Sequence, residues 1–199
     1  MLDERGVDYG ALTGVGLVIA SAVVLLFIFS LLRSSAPANT AIALEAAASE
    51  VCGDVETVAS MAIPYRAERY YGFDGINVSV SADRVTASAG SDVFSRPLVS
   101  QVVPGEYEED GFILWNGTAG MRERLNASFN ATGTKERPID DNRSGELRRL
   151  MEGASRSTLL RPIEVRAGKP LTIEKTFVYT YNGSTHAMEA RPYVLVYRG

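Results

Sequence analysis

From Leu12 to Leu32 the chain reads LTGVGLVIASAVVLLFIFSLL, with no charged side chain between Asp8 and Arg33. At ~1.5 Å per residue a helix of this length reaches roughly 32 Å, enough to cross a hydrocarbon layer about 30 Å thick. A helix buried in a soluble domain keeps a polar stripe, and here only Thr13, Ser21 and Ser30 are polar. The expected organisation follows: a transmembrane helix ending at residue 33, an amphipathic helix over 34–64 continuing from it, and a β-rich domain over 65–199.

Three processing routes compete for the apolar run. A cleaved secretory signal would use Ala36-Pro37-Ala38 as its small-residue cut site, but it wants a basic start and a shorter apolar core than this one. An uncleaved signal anchor keeps the amino terminus intact. Cleavage ahead of the apolar run would fall at Gly6-Val7, directly after Arg5. A short hydrophilic stretch ending in a basic residue and Gly, followed by an apolar helix, resembles the class III leader of archaeal type IV pilin-like proteins. The resemblance covers about the first 35 residues. It implies that a prepilin-type peptidase cuts between Gly6 and Val7, making residues 1–6 a short leader and 7–33 the transmembrane helix. It implies also that the apolar helix stays on the mature protein and moves from membrane lipid into contact with other pilin-like subunits, with Asp8 left near the new amino terminus. Gly6, Gly10 and Gly14 recur every four residues, a spacing that permits close helix approach in a membrane and that also occurs where glycine is merely tolerated.

Of seven asparagines, six open an Asn-x-Ser/Thr triplet: Asn77, Asn116, Asn126, Asn130, Asn142 and Asn182. With 29 Ser and Thr in 199 residues, chance supplies about one. Glycan transfer occurs on the far side of a membrane, and all six triplets follow Leu32. They place the carboxy-terminal part outside. Arg33 opposes this weakly under the positive-inside tendency.

Pro37 and the small residues from Ser34 to Thr40 interrupt the helix. It then resumes, with Leu44, Ala48, Val51, Val55, Val58 and Ala62 at alternating spacings of four and three, and ends near Pro64. Cys52 adjoins this apolar stripe as a small core hydrophobe. Beyond Pro64 the period becomes 2. Ile76, Val78 and Val80 alternate with polar residues, Asp83-Arg84 turns, and Val85, Ala87 and Ala89 return. A second hairpin places Leu171, Ile173, Phe177, Tyr179 and Tyr181 on one face, turns tightly at Asn182-Gly183, and returns from Ala187 to Tyr197. Short strands are expected at Phe112–Trp115 and Ile163–Val165, helices at Ala119–Phe129 and Ser144–Ser155, and a polar loop over Ala131–Asn142. The fold class is α+β, a long amino-terminal helix followed by an antiparallel sheet, which is the pilin-like layout.

Chemistry-bearing groups are sparse. One cysteine and one histidine rule out an internal disulfide and a His-rich metal cage. Twenty basic against twenty-four acidic side chains leave no positive field for nucleic acid. His186 follows Ser184 and Thr185 near a turn, with no acid beside it, and reads as a solvent-facing strand residue rather than a catalytic base. The acidic stretch EYEED, Glu106 to Asp110, lacks the alternation and central glycine of a calcium loop and reads as solvated surface. Phosphate-loop, zinc-protease and nucleophile-elbow motifs are missing. The sequence predicts no enzyme, no cofactor and no metal. It predicts a single-pass surface protein, either a filament component serving adhesion or surface attachment, or a permanently anchored glycoprotein binding module of an archaeal envelope.

Overall fold

The computed structural model describes residues 21, 23–26, 39–109 and 111–199. The expected cleavage site at Gly6-Val7 and most of the apolar run lie outside these residues. Of that run, Ser21 and Val23 to Leu26 are helical. Among the described residues no helix is long and apolar enough to cross a membrane. The chain divides into two units, residues 1–42 and a compact unit from Ala43 to Gly199. The second is α+β with mainly antiparallel sheets.

Helix α1 covers residues 39–60. Leu44, Ala47, Ala48, Val51, Cys52, Val55 and Val58 are buried on one side, while Glu45, Ala46, Glu50, Gly53 and Thr57 are exposed on the other. Each buried Val or Leu contributes roughly 1.5–3 kcal/mol, so the stripe, not helix propensity, holds α1 in place. The helix stops four residues before Pro64, and Ala62 is exposed rather than part of the stripe. Lys175 caps this end: its Nζ donates to the carbonyls of Ala59 and Met61, satisfying acceptors that the end of a helix leaves open.

Strand β1 (Tyr65–Tyr70) follows, then β2 (Asn77–Val80), β3 (Arg84–Ala89), β4 (Asp92–Pro97) and β5 (Val102–Pro104). The acidic stretch is a strand, β6 (Glu106–Glu109), paired with β7 (Phe112–Asn116), and not a loop. Its Tyr107 is buried against Trp115, with ring centroids 4.7 Å apart, while the glutamates point to solvent. Asp110 lies outside the described residues. Helix α2 (Gly117–Phe129) leads through a mostly irregular stretch to β8 (Ile139–Asp140), a 3-10 turn at Asp141–Arg143 and helix α3 (Ser144–Leu160). Strands β9 (Ile163–Val165), β10 (Pro170–Asn182) and β11 (Ala187–Arg198) complete the chain.

Two main sheets form. One runs β1-β10-β11-β5 with β8 added beside β10, the other β4-β3-β2-β9. Not all pairing is antiparallel: β8 joins β10, and β5 joins β11, in parallel. Helix α1 packs between the sheets in one apolar core with Val78, Val80, Val85, Ala87, Ile173, Val194 and Val196. Helices α2 and α3 and the β6–β7 hairpin cover the opposite face of the first sheet in a second core around Trp115, Met121, Leu125, Leu147, Met151 and Leu195.

A sheet packed on both faces loses the simple alternation of a half-exposed one. Along β10, Leu171 and Ile173 face α1, whereas farther along the buried residues are Thr176, Val178 and Thr180, with Phe177, Tyr179 and Tyr181 only half-buried. The expected single apolar face holds for the first half alone. The hairpin joining β10 to β11 also differs from a two-residue turn. Asn182 pairs with Ala187, residues 183–186 form the loop, and Asn182 Oδ1 accepts from the backbone of Ser184 and Thr185 at 3.0 and 3.1 Å.

Side chains tie the layers together. Glu56 accepts from Val99 N at 2.6 Å and from Ser100 N and Oγ at 3.0 Å, fixing the crossover between sheets against α1. The carbonyls on the outer side of edge strand β5 are occupied too: Ser155 Oγ donates to Val102 O at 2.6 Å and Trp115 Nε1 to Pro104 O at 2.9 Å. Arg122 of α2 donates to the carbonyls of Thr132, Gly133 and Phe177 and to Thr176 Oγ1, stitching the stretch after α2 to β10. Burial lowers its pKa from the usual arginine range.

Candidate functional site

The six triplet asparagines sort by backbone setting. Asn77 opens β2, Asn116 ends β7 and caps α2, and Asn126 lies within α2. Asn130 is the left-handed residue closing α2, with φ 53°. Asn142 sits in the 3-10 turn, and Asn182 ends β10. Five are exposed and Asn182 is half-buried. Their amides are engaged differently. Both side-chain atoms of Asn182 are used, since Nδ2 also donates to Asp141 Oδ2 at 3.4 Å. Asn126 Oδ1 accepts from Arg137 Nη2 at 2.9 Å. The side chains of Asn77, Asn116, Asn130 and Asn142 make no hydrogen bond to any described residue. Five triplets lie on the α2–α3 side or at the adjoining hairpin, and Asn77 alone lies on the second sheet.

Two grooves stand out among the described residues of the compact unit. The first, about 610 Å³, runs between the β6–β7 hairpin and the end of α3, with Glu106, Glu108 and Glu109 on one wall and Leu160 and Arg161 on the other. The second, about 820 Å³, crosses the outer face of the second sheet between the 73–76 segment and residues 162–167. Sequence reasoning found neither. Their walls come from segments far apart in the chain: the first groove joins the β6–β7 hairpin to the end of α3 and to β11, and the second exists because β2 pairs with β9, placing Ser79 opposite Glu164. The triplets, in contrast, are legible as a motif.

His186 occupies the hairpin loop rather than a strand, with φ 54°, and its Nδ1 lies 2.8 Å from Tyr181 Oη. That contact pairs it with a phenol and not with a serine. Cys52 is buried in the first core, its Sγ donating to Pro97 O at 3.7 Å, and burial raises its thiol pKa. A buried thiol with a raised pKa is a poor nucleophile. No group of three or more potential metal ligands occurs among the described residues.

No protein-family model matches the chain, and no curated protein or solved structure matches it with significance.

Proposed function

We propose that this chain is an outward-facing surface protein held by the apolar run Leu12–Leu32, and that it serves as a type IV pilin-like subunit or minor component of an extracellular filament. The observation that carries the reading is the set of six triplet asparagines. All follow the apolar run, and in the folded unit five of the six present an exposed side chain. A glycosylated exterior needs such exposure. Helix α1 adds support, because it buries one stripe in its own domain and leaves Glu45, Glu50 and Thr57 on a face available to neighbours. On this reading a prepilin-type peptidase cuts between Gly6 and Val7. The apolar helix then exchanges membrane lipid for other pilin-like subunits, a swap between two apolar surroundings that costs little. Nucleic acid has no part in it.

A second reading rests on the two grooves: a permanently anchored glycoprotein that binds a ligand on its β face. Mass spectrometry of the amino-terminal peptide of the native protein separates them. A start at Val7 is the expected result. A start at Met1, with monomers in detergent, selects the permanent anchor, and a start at Asn39 overturns both. The variant Gly6→Glu is expected to block processing and assembly.

A further inference from the structure

The groove of about 820 Å³ on the second sheet has Asn77 in its own lining. Along β2 the even residues Val78 and Val80 point into the core, so Asn77 and Ser79 point to the opposite, outer face. There Asn77 sits across from Ser88, and Ser79 from Glu164. The floor is therefore polar, supplied with hydroxyls and a carboxylate that Arg166 pairs at 3.0 Å. The wall is different. Phe73 and Ile76 line it while only partly buried against the core, and the Phe73 ring stacks on Tyr71 at 5.4 Å with a 19° tilt. Hydroxyl partners beneath and a flat aromatic beside them are what a pyranose ring requires: its equatorial hydroxyls exchange hydrogen bonds, and its C–H face lies on the π system. The asparagine that would carry the sugar is already in the groove, with its amide free of hydrogen bonds to described residues.

We propose that the first sugars of a glycan linked to Asn77 lie down in this groove, so that the glycan is a packed part of the second sheet and not a solvated appendage. The inference rests on the outward-facing reading. Tethering makes it economical, because a linked sugar meets the groove at an effective concentration no free saccharide reaches. Asn182 shows the contrasting case: its side chain is committed to its own turn and to Asp141, and it lines neither of the two grooves described.

The test uses the full chain expressed in its native host. Three variants are compared with the parent: Ser79→Ala, which abolishes the triplet but keeps Asn77; Ser79→Thr, which restores it; and Ser184→Ala, which removes the Asn182 triplet. Peptide mass spectrometry reads occupancy, and hydrogen exchange reads segments 71–80 and 162–167. Asn77 is expected to be occupied in the parent and in Ser79→Thr. Ser79→Ala is expected to speed exchange in both segments at least threefold over the parent when both come from the native host, and to match the parent when both are made without glycans, which subtracts the effect of the Ser79 hydroxyl itself, while Ser184→Ala leaves them unchanged. An unmodified Asn77 beside other modified triplets overturns the groove proposal and leaves the outward-facing reading standing. An occupied Asn77 whose removal does not alter exchange in these segments also overturns it. Absence of glycan at all six asparagines overturns the outward-facing reading itself.

Discussion

Gly133 shows how one residue can hold a junction. Its φ is +66°, and a Cβ there would stand 2.6 Å from Val178 Cγ1 in the second core. Its carbonyl meanwhile accepts from Tyr179 N at 2.8 Å and from Arg122. Gly133→Ala therefore meets both backbone strain and a clash, and denaturant unfolding should show a loss of about 1–3 kcal/mol. Tyr197 makes a prediction about pH. Burial first, then the charge of Glu174 and the 3.0 Å hydrogen bond to it, push its hydroxyl up to about 12 from an ordinary 10.0. A phenol with a higher pKa in the fold than in the unfolded chain contributes fully below about pH 10, and that contribution is lost as pH rises toward about 12. Tyr71 and Tyr193 shift the same way, each chiefly through burial. The thermal midpoint should fall between pH 10 and 12, and fall less steeply in Tyr197→Phe.

At the scale of elements, polar contacts hold α1 beyond its apolar stripe: Asp54 accepts from Tyr71 and Arg69, Ser49 accepts from Arg96, and Glu56 and the Lys175 contacts make two testable points. Glu56→Ala removes the three hydrogen bonds that fix Val99 and Ser100, an expected cost of about 1–3 kcal/mol, with faster amide exchange confined at first to residues 98–101. Lys175→Met keeps the volume but orphans the carbonyls of Ala59 and Met61, and should fray the end of α1 with a similar loss. Which elements the sequence revealed follows from how much of each is buried. The stripe of α1 repeats over many turns and is legible, as are Leu147 and Met151 on α3. Strand β4 buries no residue and β1 only Ala67, so neither leaves a period-2 trace. Strand β5 is three buried residues, too short for a period to show. Strand β6 hides behind its charges, because Tyr107 is its only buried residue. The candidate site divides the same way: the Asn77 triplet is contiguous in the chain, but the groove around it exists only once β2 and β9 have paired.

For the molecule as a whole, the decisive fact is that two cores share one sheet. Along β11, Val194 and Val196 enter the core around α1 while Leu195, between them, enters the core around Trp115. Neither can melt without exposing the other face of the same strands, so the unit from Ala43 to Gly199 should unfold in one step. Trapping of the Cys52 thiol reports the first core and Trp115 fluorescence the second, and their midpoints in urea should coincide. The long β10–β11 ladder outruns both cores: from Gly183 to Ala190 every residue is exposed. A peptide tag spliced between Thr185 and His186 would spare the Asn182 triplet and its turn bonds to Ser184 and Thr185 and would load only that overhang, which makes the hairpin tip the natural place to attach a label.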